Sequence, residues 1–430
     1  MTDLHDLVAS ELEAVRRRSL DLLAPLPDLD LERQISPIMS PLVWDLAHVG
    51  NYEELWLLRA VTGAPAVDGS LDSLYDAFRH PRKNRPSLPL LGPAAAHRYI
   101  ADVRGRVLDS LEGVDLDGDP SAPLTSSGFV YGMVIQHEHQ HDETMLATVQ
   151  LMEDGAYRPE APPPPPGDGG LGEEVLVPGG TFVMGTSTNH WAYDNERPAH
   201  QVDVAPFFLD TVPVTNGAYL DFVADGGYEN ARWWADEGWA WRQDEGIRHP
   251  LFWRADGSRV RFGWVEDIPL DEPVQHVSWY EADAYARWAG KRLPTEAEWE
   301  KASSWDPVSG TKRAFPWGDT APEETTANLG QRHYRPAPAG AYPAGASPCG
   351  AHQLIGDVWE WTSSDFEPYP GFTSFPYREY SEVFYGSGYK VLRGGSWATD
   401  PVAVRSTFRN WDFPMRRQIF AGFRCARSAG

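Results

Sequence analysis

The sequence predicts two domains of mixed class, a four-helix bundle followed by an α+β domain. Apolar residues recur at helical spacing in the first third of the chain, a proline run interrupts the sequence near residue 165, and the remainder is dense in glycine, proline and tryptophan. The length of 430 residues is also too great for one simple core.

Four segments of the first part are expected to be helices. Apolar residues from Leu4 to Leu23 recur at three- to five-residue steps, roughly along one helix face. The other helices are expected from Ser40 to about Val61 with Pro41 at the first position, over about 93–111, and from a cap at Ser126 and Ser127 to about Met152. Four helices with longer connections indicate a bundle, and the polar segment 71–90 is interpreted as a loop.

A proline-rich segment separates the two parts. Residues 158–170 read RPEAPPPPPGDGG, and five consecutive prolines cannot join a helix or an inner strand. This composition is typical of a semi-rigid linker. The predicted domains are therefore residues 1–157 and 173–430, joined by a linker over 158–172.

The second part combines short strands, helices and long loops. Strands are expected over 180–184 and 201–204. Helices are expected over 216–224, 279–289 and 295–303, the last capped by Thr295 with Glu298 three residues further on. Long stretches such as 226–269 read as irregular, and long loops in a compact domain are often functional.

Charge and cysteine content narrow the function classes. The chain has 37 basic and 62 acidic residues, and the net charge of −25 argues against nucleic acid and anionic membranes as partners. Two cysteines, Cys349 and Cys425, exclude a disulfide scaffold and fit a reducing compartment. The sequence shows no signal peptide and no apolar run of the ~20 residues that would cross a bilayer, so a cytoplasmic location is expected.

The strongest chemical signal is the string QHEHQH at 136–141 in the fourth predicted helix. Because successive helical residues turn by about 100°, His137 and His141 share one face while His139 lies nearly opposite. His48, in an apolar stretch of the second helix, is the candidate third ligand, since bundle metal sites are built from inward side chains of facing helices. Three neutral imidazoles would leave part of the coordination sphere open for substrates.

Other interpretations of the same residues are open at this point. A lone histidine on an apolar helix face is usually a core residue with a hydrogen bond. The string also fits the H-E-x-x-H pattern of zinc proteases, with Glu138 as general base. A non-catalytic binding module is a further alternative.

The two parts of the chain resemble two known families. The first part resembles the DinB-like bundles, whose metal is held by one histidine on an early helix and an H-x-x-x-H pair on a later helix. His48, His137 and His141 match that layout. The second part resembles the formylglycine-generating-enzyme (sulfatase-modifying factor) family, which implies a C-type-lectin-like α+β fold. The matching motifs are VPGGTFVMG (177–185), ERP (196–198), PVTN (213–216), PVQHVSW (273–279), RLPTEAEWE (292–300), FPWG (315–318), GDVWEW (356–361), RGGSW (393–397) and GFR (422–424).

The combination of these two parts is the layout of the EgtB-type sulfoxide synthases of ergothioneine biosynthesis. The resemblance implies Fe²⁺ with O2 as co-substrate, hercynine (Nα-trimethylhistidine) and γ-glutamylcysteine as substrates, and a γ-glutamyl-hercynylcysteine sulfoxide as product. It also allows a structural Ca²⁺ in the second domain. Formylglycine formation is not expected, because Cys349 lies in a loop and Cys425 in the terminal strand without forming the redox pair of that chemistry.

The resemblance also implies roles for individual residues. Arg82 and Arg85 match the loop that grips the thiol substrate, and guanidiniums suit its two carboxylates. Tyr377 is the implied catalytic phenol, and a tyrosine can donate a proton. Gln140 and Tyr380 are assigned to the hercynine side.

The segment around Asn410 matches the second-domain side of the substrate site. There Asp412 would pair with the γ-glutamyl ammonium, Arg416 with a carboxylate, and Trp411 would offer a ring face to the trimethylammonium cation. A zinc-dependent thiol transferase of the DinB type, which needs no oxygen, is the alternative function. The choice between γ-glutamylcysteine and cysteine stays open, as does the oligomeric state.

Overall fold

The computed structural model describes residues 3–118, 121–152 and 157–430. The chain forms two compact units, the first comprising Met1–Arg158 with Asn189–Trp191 and the second Pro159–Thr188 with Ala192–Gly430. The proline-rich segment carries no helix or strand and belongs to the second unit, where the Pro162 carbonyl accepts a hydrogen bond from His333 Nδ1 at 2.8 Å. The linker limits 158–172 remain a prediction.

The first unit is helical. Its α-helices are α1 (Leu4–Leu23), α2 (Asp28–Glu32), α3 (Leu42–Glu53), α4 (Leu71–Leu74), α5 (Pro93–Leu111) and α6 (Phe129–Gln150). The four long helices are those expected from the sequence. Helix α1 buries Val8, Leu12 and Val15 along one stripe, and Pro93 occupies the first turn of α5, where its missing N–H is not needed.

Helix α3 continues beyond its α-helical part. Pro41 precedes the first helical residue instead of occupying it, and the backbone runs on as a π-helical segment, Glu54–Ala60, close to the predicted end at Val61. All twelve residues of α3 are buried, so its polar side chains Asp45, His48, Asn51 and Glu53 lie inside the unit together with its apolar ones. His48 lies in the middle of this helix.

Two local expectations for the first unit are wrong. The start of α6 is not a serine cap: Ser127 and Gly128 have φ of 54° and 68°, and the helix begins at Phe129 after this left-handed turn. The segment 71–90 is not only loop, since it contains α4 and a 3-10 turn, Arg82–Ser87. Both pieces are too short to show a periodic apolar pattern.

A buried network of charges joins the helices of the first unit. Glu53 of α3 and Glu138 of α6 each pair with Arg16 of α1 and Arg104 of α5, and all four residues are at most 6% exposed. Removing one partner of such a pair typically costs about 3–5 kcal/mol, because the other charge is left buried and alone. The network therefore fixes the rotation and height of α6 relative to its neighbours.

Residues 189–191 also pack on α6. A Cβ on Gly132 would lie 2.3 Å from the Trp191 ring, so only glycine leaves room for the indole. Trp191 Nε1 donates to the Ser127 carbonyl at 3.2 Å, and the Trp191 carbonyl accepts from Gln136 Nε2 at 3.0 Å. Gln136, which donates this hydrogen bond, directly precedes His137 in the sequence.

The second unit is α+β. Its helices are α7 (Asn216–Ala224), α8 (Asp236–Asp244), α9 (Trp279–Trp288) and α10 (Glu296–Ser304). Its strands are β1 (Glu174–Val177), β2 (Gly180–Met184), β3 (His200–Val204), β4 (Phe207–Asp210), β5 (Ser258–Arg261), β6 (Trp264–Asp267), β7 (Trp305–Asp306), β8 (Thr311–Lys312), β9 (Trp359–Asp365), β10 (Lys390–Arg393), β11 (Asn410–Asp412), β12 (Ala421–Gly422) and β13 (Ala426–Ser428).

Two small sheets organise this unit. One has the order β11-β10-β9-β12, with β12 parallel to β9 and the other pairs antiparallel, and the other is the antiparallel β1-β4-β13. Tryptophans of the glycine- and tryptophan-rich motifs, Trp299, Trp361 and Trp397, are fully buried. The expected capping box of α10 is present, since Thr295 and Glu298 each accept from the other's backbone N–H.

The structure of segment 226–269 differs from the sequence prediction. Its sequence predicts an irregular segment, but it contains α8 and the hairpin of β5 and β6. Helix α8 buries only Gly238, so no apolar stripe marks it in the sequence. The hairpin turns through Phe262 and Gly263, with φ of 46° and 75°, and phenylalanine is not a usual signal for such a turn.

The remaining expectations concern membranes and cysteines. Among the described residues, no helix has both the length and the apolar character required to span a bilayer, and the location in the cell remains a prediction. Cys349 is half-buried in a loop, while Cys425 is buried and precedes β13 instead of lying within it. Burial raises the pKa of the Cys425 thiol well above its usual value, which makes it a poor nucleophile.

Candidate metal centre and substrate-binding residues

Helices α3 and α6 bring three imidazoles together. His137 and His141 lie one turn apart on α6, and their ring centroids are 4.6 Å apart. The His48 ring of α3 lies 5.2 Å from that of His137 and 4.7 Å from that of His141. One potential ligand atom from each histidine lies within 4.8 Å of the other two, and these residues form what we call the three-His cluster.

Hydrogen bonds fix two of these imidazoles. His48 Nδ1 lies 2.7 Å from the Tyr75 carbonyl, and His141 Nδ1 lies 2.9 Å from Asp45 Oδ1. Both oxygens can only accept, so each Nδ1 carries the proton and each Nε2 keeps its lone pair. This tautomer is the one that binds a metal through Nε2.

The third imidazole is held differently. The His137 ring stacks on Tyr52 at 3.8 Å between centroids, and its buried Nδ1 has no hydrogen-bond partner among the described residues. Burial lowers the pKa of both His48 and His137 well below the usual value, so these rings are neutral near pH 7. A set of three imidazole donors, with His48 buried and His137 and His141 half-buried, fits a divalent first-row metal ion.

Glu138 is not available as a general base. Its carboxylate accepts hydrogen bonds from Arg16 Nε at 2.7 Å, Arg104 Nη2 at 2.9 Å and Ser19 Oγ at 3.0 Å. Burial alone would raise the pKa of Glu138, but the two guanidiniums outweigh it and lower the pKa to about 2. The zinc-protease interpretation of the H-E-x-x-H string therefore lacks its base.

His139 is excluded from the three-His cluster, as the helical spacing predicts. It is buried, and its Nδ1 lies 3.5 Å from Asp142 Oδ2. Gln140 is half-buried on α6, next to His141.

The two arginines of the candidate thiol-binding loop differ in exposure. Arg82 is half-buried and donates from Nη1 to the Ile38 carbonyl at 3.0 Å. Arg85 is only 4% exposed, and its guanidinium lies 3.4 Å from the centroid of the Trp44 ring. Within the first unit, the structure therefore places Arg82 nearer to solvent than Arg85.

The candidate tyrosines of the second unit lie on one loop, residues 375–381, which we call the pinned loop because both of its ends are hydrogen-bonded. Tyr377 and Tyr380 are half-buried, with ring centroids 6.2 Å apart, and Tyr380 stacks on the buried Tyr193 at 4.2 Å. Asp194, next to Tyr193, accepts hydrogen bonds from Ser381 Oγ at 2.6 Å and from Phe375 N at 3.2 Å. These contacts hold the loop on both sides of Tyr377.

The segment Asn410–Asp412 lies at the edge of the four-stranded sheet, as β11. Trp411 stacks on Phe366 at 4.2 Å, and the Tyr380 ring stands edge-on to it at 6.4 Å. Asp412 and Arg416 form an ion pair at 3.5 Å. The structure thus brings the candidate aromatic residues of this unit into one cluster and places a carboxylate beside a guanidinium close to it in the sequence. Asn410 is half-buried, and its side-chain oxygen accepts from Trp411 N.

Sequence patterns did not reveal the residues that orient the candidate ligands. Asp45 had a local signal, because a carboxylate three residues before His48 in an apolar helix needs a buried partner. Tyr52, Tyr193 and Asp194 had none, since their partners lie far away in the sequence or on another helix.

Two family descriptions match the chain. Residues 11–145 match the DinB superfamily, and residues 161–429 match the Sulfatase-modifying factor enzyme 1-like domain. With the three-His cluster, they define the class of protein: a DinB-type helical unit carrying candidate metal ligands, continued by an α+β unit of the sulfatase-modifying-factor type. The predicted fold class is confirmed.

Relatives match over nearly the whole length. Hercynine oxygenase of Mycolicibacterium thermoresistibile is 55% identical over 430 residues, which cover 97% of this chain and 94% of that protein. Hercynine oxygenase of Mycolicibacterium smegmatis is 53% identical over 432 residues, covering 98% of both. The solved structure of PvdO from Pseudomonas aeruginosa matches 63% of this chain and 100% of its own, with 22% identity and a TM-score of 0.41. The chain belongs to the hercynine oxygenase family and is an oxidoreductase.

Proposed function

We propose that this enzyme joins hercynine to γ-glutamylcysteine oxidatively in ergothioneine biosynthesis. Fe(II) bound by the three-His cluster and dioxygen would drive the reaction, and the product is γ-glutamyl-hercynylcysteine sulfoxide. The observation that supports this most is the convergence of three imidazoles in a chain 55% identical to a hercynine oxygenase.

The reaction balances without a further reductant. The imidazole C–H and the thiol S–H are lost and a C–S bond forms, which removes two electrons from the substrates. Oxidation of the sulfur to a sulfoxide removes two more. Dioxygen accepts all four, and one of its atoms goes to sulfur while the other leaves as water with the two protons.

The three-His cluster supplies the donor set for the ion. When bound, Fe(II) supplies the one-electron chemistry that allows dioxygen to react with closed-shell substrates. The Tyr75 carbonyl and Asp45 hold the rings of His48 and His141 in the tautomer that leaves Nε2 free. Three protein ligands leave positions for substrates.

Charged groups would bind the ends of the thiol substrate. Asp412 and Arg416 form a pair of opposite charges, which suits the ammonium and carboxylate of a γ-glutamyl group. Arg82 is the more exposed of the two loop arginines and is assigned to a carboxylate, together with Arg85. Asn410 belongs to the same proposed substrate-binding segment.

Aromatic and amide groups would bind hercynine. Trp411 is proposed to contact the trimethylammonium group, because a permanent cation without N–H groups is recognised by a ring face. Gln140 and Tyr380 are proposed to orient the same substrate. Tyr377 is proposed as the proton donor to reduced oxygen, held in place by the pinned loop.

Product analysis tests this function. Purified enzyme with Fe(II), hercynine and either γ-glutamylcysteine or cysteine is incubated in air or without oxygen, and products are identified by mass spectrometry. We expect the sulfoxide only in air and mainly from γ-glutamylcysteine. Transfer of the thiol by the zinc-loaded protein without oxygen would overturn the proposal and support the zinc-dependent thiol transferase instead.

A further inference from the structure

Arg85 is held inside the first unit by contacts that need no substrate. Its Nη1 donates to Ser40 Oγ at 2.6 Å, its Nε to the His80 carbonyl at 3.0 Å and its Nη2 to the Ala77 carbonyl at 3.4 Å. Three of the five guanidinium N–H groups are thus engaged. With 4% of the residue exposed, this side chain is already ordered before any ligand arrives.

The ring beneath Arg85 carries a member of the three-His cluster. Trp44 is fully buried and stacks on His48, with 4.6 Å between centroids and 13° between planes. Trp44 Nε1 has no hydrogen-bond partner among the described residues, so the indole is held by packing and by the cation on its ring. Anything that tilts this indole also tilts the His48 imidazole.

Trp44 is also the neighbour of the residue that orients His141. Asp45 follows Trp44 in α3, is 1% exposed, and accepts from His141 Nδ1 at 2.9 Å. The ring that carries the Arg85 guanidinium therefore lies in the part of α3 that holds both His48 and the partner of His141.

We propose that Arg85 is a positioning residue of the three-His cluster, acting through Trp44 on His48. This rests on the proposed role of the cluster as the metal site. It gives Arg85 a second function beyond the substrate contact proposed for both loop arginines, and Arg82 does not share it. Loss of a group that orients metal ligands typically lowers metal affinity by about 10–100-fold.

Metal affinity of the full-length chain tests this role. Arg85→Gln, Arg85→Lys and the matched control Arg82→Gln are titrated with Fe(II) and with Co(II) against a chelator, without oxygen. We expect Arg85→Gln to bind both ions about tenfold more weakly or worse, Arg85→Lys to fall between it and the wild type, and Arg82→Gln to stay near the wild type. The KM for γ-glutamylcysteine is measured on the same proteins.

Two results would overturn the proposed positioning role of Arg85. If Arg85→Gln keeps wild-type metal affinity and only raises the KM for the thiol, Arg85 acts on the substrate alone and the proposal is wrong. If Arg85→Gln does not fold, Ser40→Ala removes one anchor of the guanidinium, and unchanged metal affinity in that variant also overturns the proposal. Failure of the proposed function is distinct, because it would appear as absence of the sulfoxide from wild-type enzyme in air, whatever the metal affinity of Arg85→Gln.

Discussion

The three imidazoles are held by three different contacts. His48 donates to a backbone carbonyl, His141 donates to a carboxylate, and His137 stacks on Tyr52 without a hydrogen bond at Nδ1 to any described residue. An imidazole whose N–H is bound by a carboxylate is a more basic and stronger metal ligand than one whose N–H is bound by a carbonyl. His141 is therefore expected to be the strongest ligand of the three.

The role of Tyr377 can be tested by its products. Tyr377→Phe keeps the ring but removes the proton that the proposed mechanism donates, and loss of a positioned proton donor costs about 10²-fold or more. We expect sulfoxide formation to fall by that factor and sulfinic acid from the thiol to increase, both measured by mass spectrometry. Tyr380→Phe, on the same loop, should mainly raise the KM for hercynine. Unchanged sulfoxide yield in Tyr377→Phe, without sulfinic acid, would remove Tyr377 from the mechanism.

At the scale of elements, the loop that carries Tyr377 depends on a distant carboxylate. Asp194 accepts from Phe375 N and Ser381 Oγ, which lie on either side of Tyr377. Burial raises the pKa of Asp194 to about 6, and the nearby Glu196 adds to the shift, while hydrogen bonds from Ser381, Phe375 and Asn195 oppose it. The loop is thus fastened by a carboxylate that is costly to keep charged.

This raised pKa predicts a pH dependence. The folded pKa lies above the ordinary value of 3.8, so the folded state holds the proton more tightly, and the contribution of Asp194 to the free energy of unfolding falls as pH rises from about 4 to about 6. Asp194→Asn cannot titrate and lacks this loss. We therefore expect the melting temperature of Asp194→Asn, relative to wild type, to increase between pH 5 and pH 7.5, by the equivalent of about 1–1.5 kcal/mol.

Calorimetry across this pH range checks the prediction. The exposed Asp244→Asn at the end of α8 serves as the control for removing one carboxylate from the same unit. A difference for Asp194→Asn that does not change with pH would show that Asp194 keeps an ordinary pKa in the folded protein.

Sequence patterns could predict those elements whose apolar residues recur at a regular short spacing. The bounds of α1, α5 and α7 follow from apolar spacing and from Pro93, and the placement of His137 and His141 follows from the helical repeat. Helix α8 could not be found because it buries almost nothing, and the β5–β6 turn lacks asparagine or aspartate. The pinning of Ser381 by Asp194 spans 187 residues, and no local pattern encodes such a contact.

At the scale of the whole molecule, charged side chains of both signs are buried. Fully buried arginines pair with buried glutamates in both units, as Arg16 does with Glu138 and Arg393 with Glu300. Among the described residues, 14 buried carboxylic acids face nine buried basic groups, so most of the net charge of −25 still lies on the more exposed residues. Partly exposed arginines such as Arg82 and Arg416 then stand out against an acidic background, and anionic substrates would be drawn to them.

Iron binding by the full-length chain tests the central claim most directly. The wild type, the single variants His48→Ala, His137→Ala and His141→Ala, and the control His97→Ala of α5 are loaded with Fe(II) without oxygen, and the iron retained after desalting is counted by elemental analysis. We predict one iron per chain for the wild type and the control, and loss of most of it in each of the three variants. Full iron retention by the three variants, or equal loss in His97→Ala, would contradict a metal centre built from His48, His137 and His141.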